Sequence, residues 1–287
     1  MTAGAHGPAQ HVFVDLHMHS TASDGARTPT EVVEAAAGLG LAAIALTDHD
    51  TLDGLPAARE AAANRGLRIV TGVELSAVEG DVETHVLGLH LSDTVALEQR
   101  LHMLRDMRRN RAVSIVARLN ALGVPLTLDD VLAQANGGAV GRPHVARALV
   151  ARGFVPEFKQ AFERYLGNGR AAYVAKDKLP LEEAVQLIHR AGGIAVLAHP
   201  GSLGTRERLA ALAAVGLDGV EVLHPSHSWE DSQRLDQLAS EFDLVRSGGS
   251  DWHGGTEGSR SLGMMRVPAH WLADQDRRVS TRAQRVA

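Results

Sequence analysis

The chain contains no cysteine among its 287 residues. That removes disulfides, thiolate nucleophiles and zinc–thiolate sites together. Aromatic residues make up only 3% of it, which argues against a long platform of stacked bases and favours a small nucleotide or very short strand if a nucleic acid is bound at all. An excess of positive charge is also missing, since 29 Lys and Arg face 34 Asp and Glu for a net −5. No general attraction to duplex nucleic acid or to an anionic membrane follows from such a balance. No apolar run approaches the roughly 20 residues of a membrane helix. The opening MTAGAHGPAQ lacks the basic start and apolar core of a secretory signal, so a cytoplasmic setting is expected. What the chain does have is histidine, 15 in all, many beside Asp, Gly or Pro where strands end. Any metal held here would have imidazole and carboxylate ligands.

Short apolar runs alternate with helical patterns. HVFVDLH is followed by TPTEVVEAAAGLG, in which Thr28 and Glu31 suit a capping box, Pro29 the first helical position and Gly40 the stop. The alternation continues through LAAIALTDHD and LPAAREAAANRG, LRIVTGVELS and ETHVLGLH, IAVLAHP and TRERLAALAAVG, GVEVLHP and WEDSQRLDQLASEFD, and ends on LVRSGGSDWH. Such a pattern predicts an α/β fold with a parallel, barrel-like sheet, whose carboxyl rim carries the site. From 93 to 169 the pattern is helix after helix. This predicts an all-helical insertion, a lid or substrate wall, between barrel halves at 12–92 and 170–267. Residues 1–11 and 268–287 are expected to be loose ends.

Nearly every strand finishes in a ligand-type side chain. Residues i and i+2 of a strand share a face, so His17 and His19 in VDLHMHS point the same way. Asp251 and His253 in GGSDWHGG repeat that spacing at the last strand, where the glycines let the backbone come close. Between them stand Asp48, His49 and Asp50 in TDHD, Glu74 in GVELS, His85 in ETHVLG and His199 in LAHPG. A lone histidine is usually structural, but five strand-end clusters of this kind point to metals. Asp48 and Asp50 flank His49 and are candidates for orienting it or handling a proton. An N-cap role for Asp50 is an equal alternative.

DLHMHS, SDG, TDHD, GVELS, THVLG, AHPG and GGSDWH, in that order across residues 12–256, resemble the PHP (polymerase and histidinol phosphatase) metallo-phosphoesterase superfamily. The resemblance implies a distorted (β/α)7 barrel with two or three divalent ions at the strand ends. It implies one ion on His17, His19, Glu74 and Asp251, a second on Glu74, His85 and His199, and a third on Asp24, His49 and His253. Several branches have histidine at the Asp24 position, so the third site is altered here. The ligand set suits Mn most, with Fe or Zn as alternatives. Close-set divalent ions would neutralise phosphoryl oxygens and make a water reactive near neutral pH. Glu74, Asp251, His199 and, more weakly, Asp48 are the candidate catalytic residues.

GRPHVARALV and EVLHPSHS resemble the branch that acts on 3',5'-nucleoside bisphosphates and trims short RNAs from the 5' end. Arg142 and His144 are the first candidates for phosphate, with Arg offering a bidentate fork. His224 and His227 are candidates for phosphate or proton transfer. Arg105, Arg108, Arg109 and Arg111 read as a charged helix face that could also guide a short RNA. Lys176 and Lys178 could reach the pocket, whereas His6, His11, His90, His102, His189 and His270 carry no assigned role. The competing readings are a histidinol-phosphate phosphatase and a non-catalytic PHP module.

Overall fold

A computed structural model describes residues 12–80, 82–135, 140–175, 179–255 and 260–286, apart from a few side chains at the carboxyl end. The leader, His6, His11, Lys176 and Lys178 lie outside the described residues.

The barrel begins with β1 (Phe13–Met18), whose residues beyond Phe13 are all buried. The chain then enters α1 (Pro29–Gly38) through the expected capping box, with Thr28 and Glu31 each satisfying the other's backbone N–H. β2 (Ala43–Leu46), α2 (Leu55–Ala62), β3 (Arg68–Glu79) and β4 (Val82–Leu89) complete the first half. A run of helices follows: α3 (Val95–Ala121), α4 (Leu128–Ala135), α5 (Arg142–Ala151), and α6 (Phe158–Ala161) running into a π-helical turn at Phe162–Leu166. The second half alternates α7 (Leu181–Arg190), β5 (Ile194–Leu197), a 3-10 turn at Gly201–Leu203, α8 (Arg206–Ala214), β6 (Gly219–Leu223), α9 (Trp229–Glu241) and β7 (Val245–Gly248). It ends with β8 (Val267–Pro268) and α10 (Ala269–Val286).

The strands form one sheet in the order β7-β6-β5-β4-β3-β2-β1-β8. It is nearly closed. After β7 the chain pairs in parallel with β1 through Met18 and Trp252, and Asp251 N–H donates to His17 O at 2.8 Å. Gly249 makes that approach possible: a Cβ there would stand 2.4 Å from the His17 backbone nitrogen, so this position tolerates no side chain.

Two expectations need correction. The sheet is mixed, because β4 runs antiparallel to both β3 and β5. LRIVTGVELS and ETHVLGLH are joined by too few residues for a crossover, and a short link between paired strands forces a hairpin. The reversal still serves the site, since it places the start of β4, with His85, at the rim where the other strands end. The end of the chain, expected to be loose from 268 on, is not a loose tail either as far as the described residues reach. α10 packs across the far end of the barrel with Trp271, Leu272 and Gln275 buried. Gln275 donates to Arg246 O at 2.8 Å, and Arg68 grips Asp276 with two hydrogen bonds of 2.6 and 2.8 Å. Trp271, Leu272, Gln275 and Val279 are spaced to share one helix face.

The apolar interior is divided. One cluster fills the barrel and takes in Leu97, Leu101 and Leu104 from the first half of α3. A second holds the helical stretch together through Ile115 and Leu119 of α3 with Leu126, Val131, Val145, Leu149 and Leu166. α3 therefore belongs to both, and its middle passes over the rim. Among the described residues no helix is long and apolar enough to cross a membrane.

Candidate metal centre

Glu74, on β3, is the hub of the rim. Its Oε2 lies 3.3 Å from His17 Nε2, 3.2 Å from His19 Nε2 and 3.2 Å from His49 Nδ1. Its Oε1 lies 2.8 Å from His85 Nδ1 and 3.0 Å from His199 Nε2. Asp251 Oδ1 approaches His19 Nε2 at 3.1 Å and His17 Nε2 at 3.5 Å. On the outer side Asp24 stands 3.4 Å from His253 Nε2, 3.7 Å from His19 Nδ1 and 3.9 Å from His49 Nε2. All nine side chains expected to be ligands are thus brought together.

The groupings differ slightly from the expected sets. His19 joins Asp24, His49 and His253, and His49 joins Glu74 and His85. Ligand atoms bound at about 2.0–2.2 Å to one ion sit roughly 3 Å from each other, the spacing seen here. The donors also fit a cation in a second respect. His17 Nε2, both ring nitrogens of His19 and His49 Nδ1 are buried without a hydrogen-bond partner, a costly condition that bound cations would relieve.

The electrostatics agree. Burial alone would raise the Glu74 carboxyl, but His17, His49 and His19 outweigh it and hold Glu74 well below the usual carboxylate range. Asp251 and Asp24 are likewise depressed, against the pull of burial, by His19 and His224 in one case and by His253 and His49 in the other. Burial lowers His17 and His19, yet Glu221 and Glu74 carry His17 well above an ordinary imidazole, and Asp251 and Glu74 raise His19 to about 9. For His49 burial prevails and pulls it to about 4. The carboxylates are anionic before any cation arrives.

Backbone strain gathers at the same place. Asp50, His199 and Asp251 have φ of 51°, 31° and 48°, conformations that non-glycine residues keep only when their surroundings enforce them. Glu221 is one enforcer. Fully buried on β6, it takes a hydrogen bond from His199 N–H at 2.7 Å and lies 3.0 Å from His17 Nδ1. A carboxylate between Val220 and Val222 in an apolar strand was the available signal, and motif reading passed over it. Asp15, similarly buried, accepts from the N–H groups of Ser250 and Gly263 at 2.9 Å each, tying β1 to the chain beyond β7. Arg260, also missed, sits 2.7 Å from Asp251 Oδ2.

Several expected roles change. Asp48 takes three hydrogen bonds of 2.7 Å, from Ser20 N–H, Ser20 Oγ–H and Ser23 Oγ–H. Its carboxylate is committed to the loop that presents Asp24, so it holds that loop rather than a proton of the substrate. Asp50 accepts from Ser76 N–H and Oγ–H and from Arg108, so it is no helix N-cap. His224 is buried behind the cluster, 3.4 Å from Asp251 Oδ2, and not in the open cavity. His227 Nδ1–H donates to Val222 O and its Nε2 accepts from Gly201 N–H, both at 3.1 Å. With both nitrogens used by backbone, His227 is a loop clamp.

A cavity of about 320 Å³ opens over the cluster, between the rim and the helical stretch. Asp24, His49 and His85 line one side; Arg108, Arg111, Arg142 and His144 line the other. Arg142 is braced over the Tyr173 ring at 5.3 Å and donates to Leu166 O at 3.2 Å. His144 Nδ1 accepts from Gly141 N–H at 3.0 Å, which leaves Nε2–H as the donor of the neutral ring. Burial favours that neutral form by lowering the His144 pKa. The arginines of α3 are therefore more than a solvated face: Arg108 pairs with the buried Asp50 and Arg111 holds Val174 O at 2.9 Å, while Arg109 is exposed.

Comparison with known proteins agrees with this geometry. A 3',5'-nucleoside bisphosphate phosphatase of Chromobacterium violaceum is 40% identical over 257 residues, covering 87% of this chain and 90% of its own. A 5'-3' exoribonuclease of Haemophilus influenzae is 40% identical over 245 residues, covering 83% and 89%. A solved structure of a proposed metal-dependent phosphoesterase from Bifidobacterium adolescentis has a TM-score of 0.77 at 35% identity and covers 91% of this chain and 94% of its own. The model of the PHP domain matches residues 15–213, and the chain, with its strand-end histidines and carboxylates gathered on Glu74, belongs to the PHP domain family.

Proposed function

We propose that this protein is a metal-dependent phosphoesterase that hydrolyses 3',5'-nucleoside bisphosphates to a nucleoside 5'-monophosphate and phosphate, and that the same site trims short RNAs from the 5' end. The observation that carries this reading is the two-sided cavity. Anion-binding groups from the helical stretch face the candidate metal centre across about 320 Å³, which suits a substrate with two phosphoryl groups. The relatives named as a bisphosphate phosphatase and as an exoribonuclease support the same substrate class.

His17, His19, Glu74 and Asp251 would hold one ion, Glu74, His85 and His199 a second, and Asp24, His49 and His253 a third, with Mn the best match to imidazole and carboxylate donors. When bound, such ions supply positive charge for the phosphoryl oxygens and make a water nucleophilic at neutral pH. The chain's own groups do the positioning. Arg142 offers its fork, and His144 its Nε2–H, to the phosphate that is not cleaved. Arg108 and Arg111 add charge above it. Water oxygen joins the 3' phosphorus, the P–O3' bond breaks, and the proton surrendered by the water balances the one gained by the 3' oxygen. The helical stretch 93–169 serves as substrate wall, and the setting is cytoplasmic.

The test is phosphate release by Mn-loaded protein from adenosine 3',5'-bisphosphate beside histidinol phosphate. The expected result is a kcat/KM at least about 100-fold higher for the bisphosphate, which corresponds to about 2.7 kcal/mol or more of additional transition-state binding. Preference for histidinol phosphate would overturn the reading. Arg142→Ala is expected to raise KM for the bisphosphate about tenfold with a smaller change in kcat.

A further inference from the structure

A second cavity, of about 380 Å³, lies on the other side of His85. It shares Glu83 and His85 with the arginine-lined cavity and adds His199, Pro200, Leu203 and Arg208. The two hollows thus meet at His85, and each is lined by candidate ligands, Asp24, His49 and His85 in the first and His85 and His199 in the second. We propose that this second cavity is the subsite for the nucleotide that follows the scissile phosphate, so that a 5'-phosphorylated oligonucleotide crosses the metal centre from one cavity to the other. The inference rests on the phosphoesterase reading above and adds a place for the rest of the strand.

Bond chemistry requires a place for the nucleotide that follows the scissile phosphate. In a bisphosphate and in an RNA the terminal nucleoside leaves through its 3' oxygen, and P–O3' is the bond that breaks. The difference lies in the attacked phosphorus, which is otherwise free in the bisphosphate but in RNA also carries the 5' oxygen of the next nucleotide. Water adds its oxygen to that phosphorus, the 3' oxygen takes up a proton, and the shortened strand keeps a 5' phosphate. With the terminal nucleotide under Arg142, the substituent on phosphorus must leave on another side. The cavity beyond His85 and His199 is adjacent, and its volume falls within the about 300–1,000 Å³ of small-ligand pockets.

The lining suits a nucleotide without reading its base. Arg208 is held by Glu79 at 2.7 Å and Thr84 at 2.9 Å, a fixed cation beside the path of a phosphodiester. Leu203, at the end of the 3-10 turn, is 61% exposed, an apolar shelf at the cavity, with the buried Pro200 in the wall behind it. A base laid on that shelf would be held by its face, which every base has, so sequence preference is expected to be weak.

The test compares kcat/KM for a 5'-phosphorylated trinucleotide with that for adenosine 3',5'-bisphosphate, in the Mn-loaded wild type, Leu203→Glu and Leu203→Trp. The position is exposed, so neither change threatens the fold. Glutamate there is expected to lower the ratio of trinucleotide to bisphosphate efficiency about tenfold, and tryptophan to raise it a few-fold through stacking. A ratio within twofold of wild type for both variants would overturn the subsite. So would a wild type that turns over the bisphosphate and leaves the trinucleotide intact, a result that also removes RNA trimming from the reading above and keeps its bisphosphate phosphatase part. A wild type inactive on both substrates would count against that reading itself.

Discussion

His17 shows how much one side chain depends on neighbours from other strands. Its Nδ1 faces Glu221 at 3.0 Å, its Nε2 faces Glu74 at 3.3 Å, and its backbone is crowded by Gly249. Glu221 leaves Nε2 free to bind a cation by accepting a hydrogen bond from Nδ1–H, the usual duty of a carboxylate behind a ligating histidine. Glu221→Gln is expected to weaken Mn binding roughly 10–100-fold, measured by competition with a chelator of known affinity. Unchanged affinity would remove Glu221 from the site. His227 makes the opposite forecast. Replacing it with Phe strands the Gly201 N–H and Val222 O and is expected to cost about 1–3 kcal/mol in urea unfolding. KM for the bisphosphate should shift less than threefold, whereas a large rise in KM would restore His227 to substrate binding.

At the scale of elements, most of the helices and strands were legible because their signals are local. The Thr28–Glu31 box, Pro29 and the run of apolar residues in β1 each act within a few residues. β4 and α10 were misjudged for a different reason. The direction of β4 is set by the short link from β3, not by its own pattern, and its reversal is what delivers His85 to the rim. α10 has few apolar residues, and the value of Trp271 and Leu272 becomes evident only once the barrel end is there to receive them. Trp271→Ala is expected to destabilise the protein by about 3–5 kcal/mol, checked by equilibrium urea unfolding. A loss below 1 kcal/mol would return the segment to the status of a loose tail. Arg108 and Arg111 were read as a charged face because helical periodicity reveals which residues share a side but not what that side meets.

The whole molecule is a barrel whose two ends have separate duties, closed by α10 at one and open to chemistry at the other. The open end concentrates carboxylates and partnerless imidazole nitrogens in a buried space, an arrangement that folding alone would disfavour. Cations that bind the native state and not the unfolded chain should therefore stabilise it, by about 2.7 kcal/mol at 100 times the dissociation constant. The midpoint of thermal unfolding is expected to rise by several degrees with Mn and to fall with a chelator. Glu74→Gln is expected to lose most of that shift together with turnover. An unfolding midpoint indifferent to divalent ions would contradict the metal centre.

The sequence by itself determined which side chains could serve as ligands, since His17, His19, Glu74 and His199 close apolar runs, His85 opens one, and Asp251 and His253 repeat the spacing of the first pair, and it excluded thiolate chemistry by omitting cysteine. It also limited the fold, because alternating strands and helices bury their apolar faces in few ways. Tertiary structure alone decided that Glu221 stands behind His17, that Asp48 holds the loop from Ser20 to Asp24 and His227 clamps the backbone, and that the middle of α3 hangs its arginines over the rim. The physical reason is distance along the chain. A motif records what neighbouring residues can do together, whereas a contact between residues 204 positions apart, such as that of His17 and Glu221, exists only after the barrel has closed.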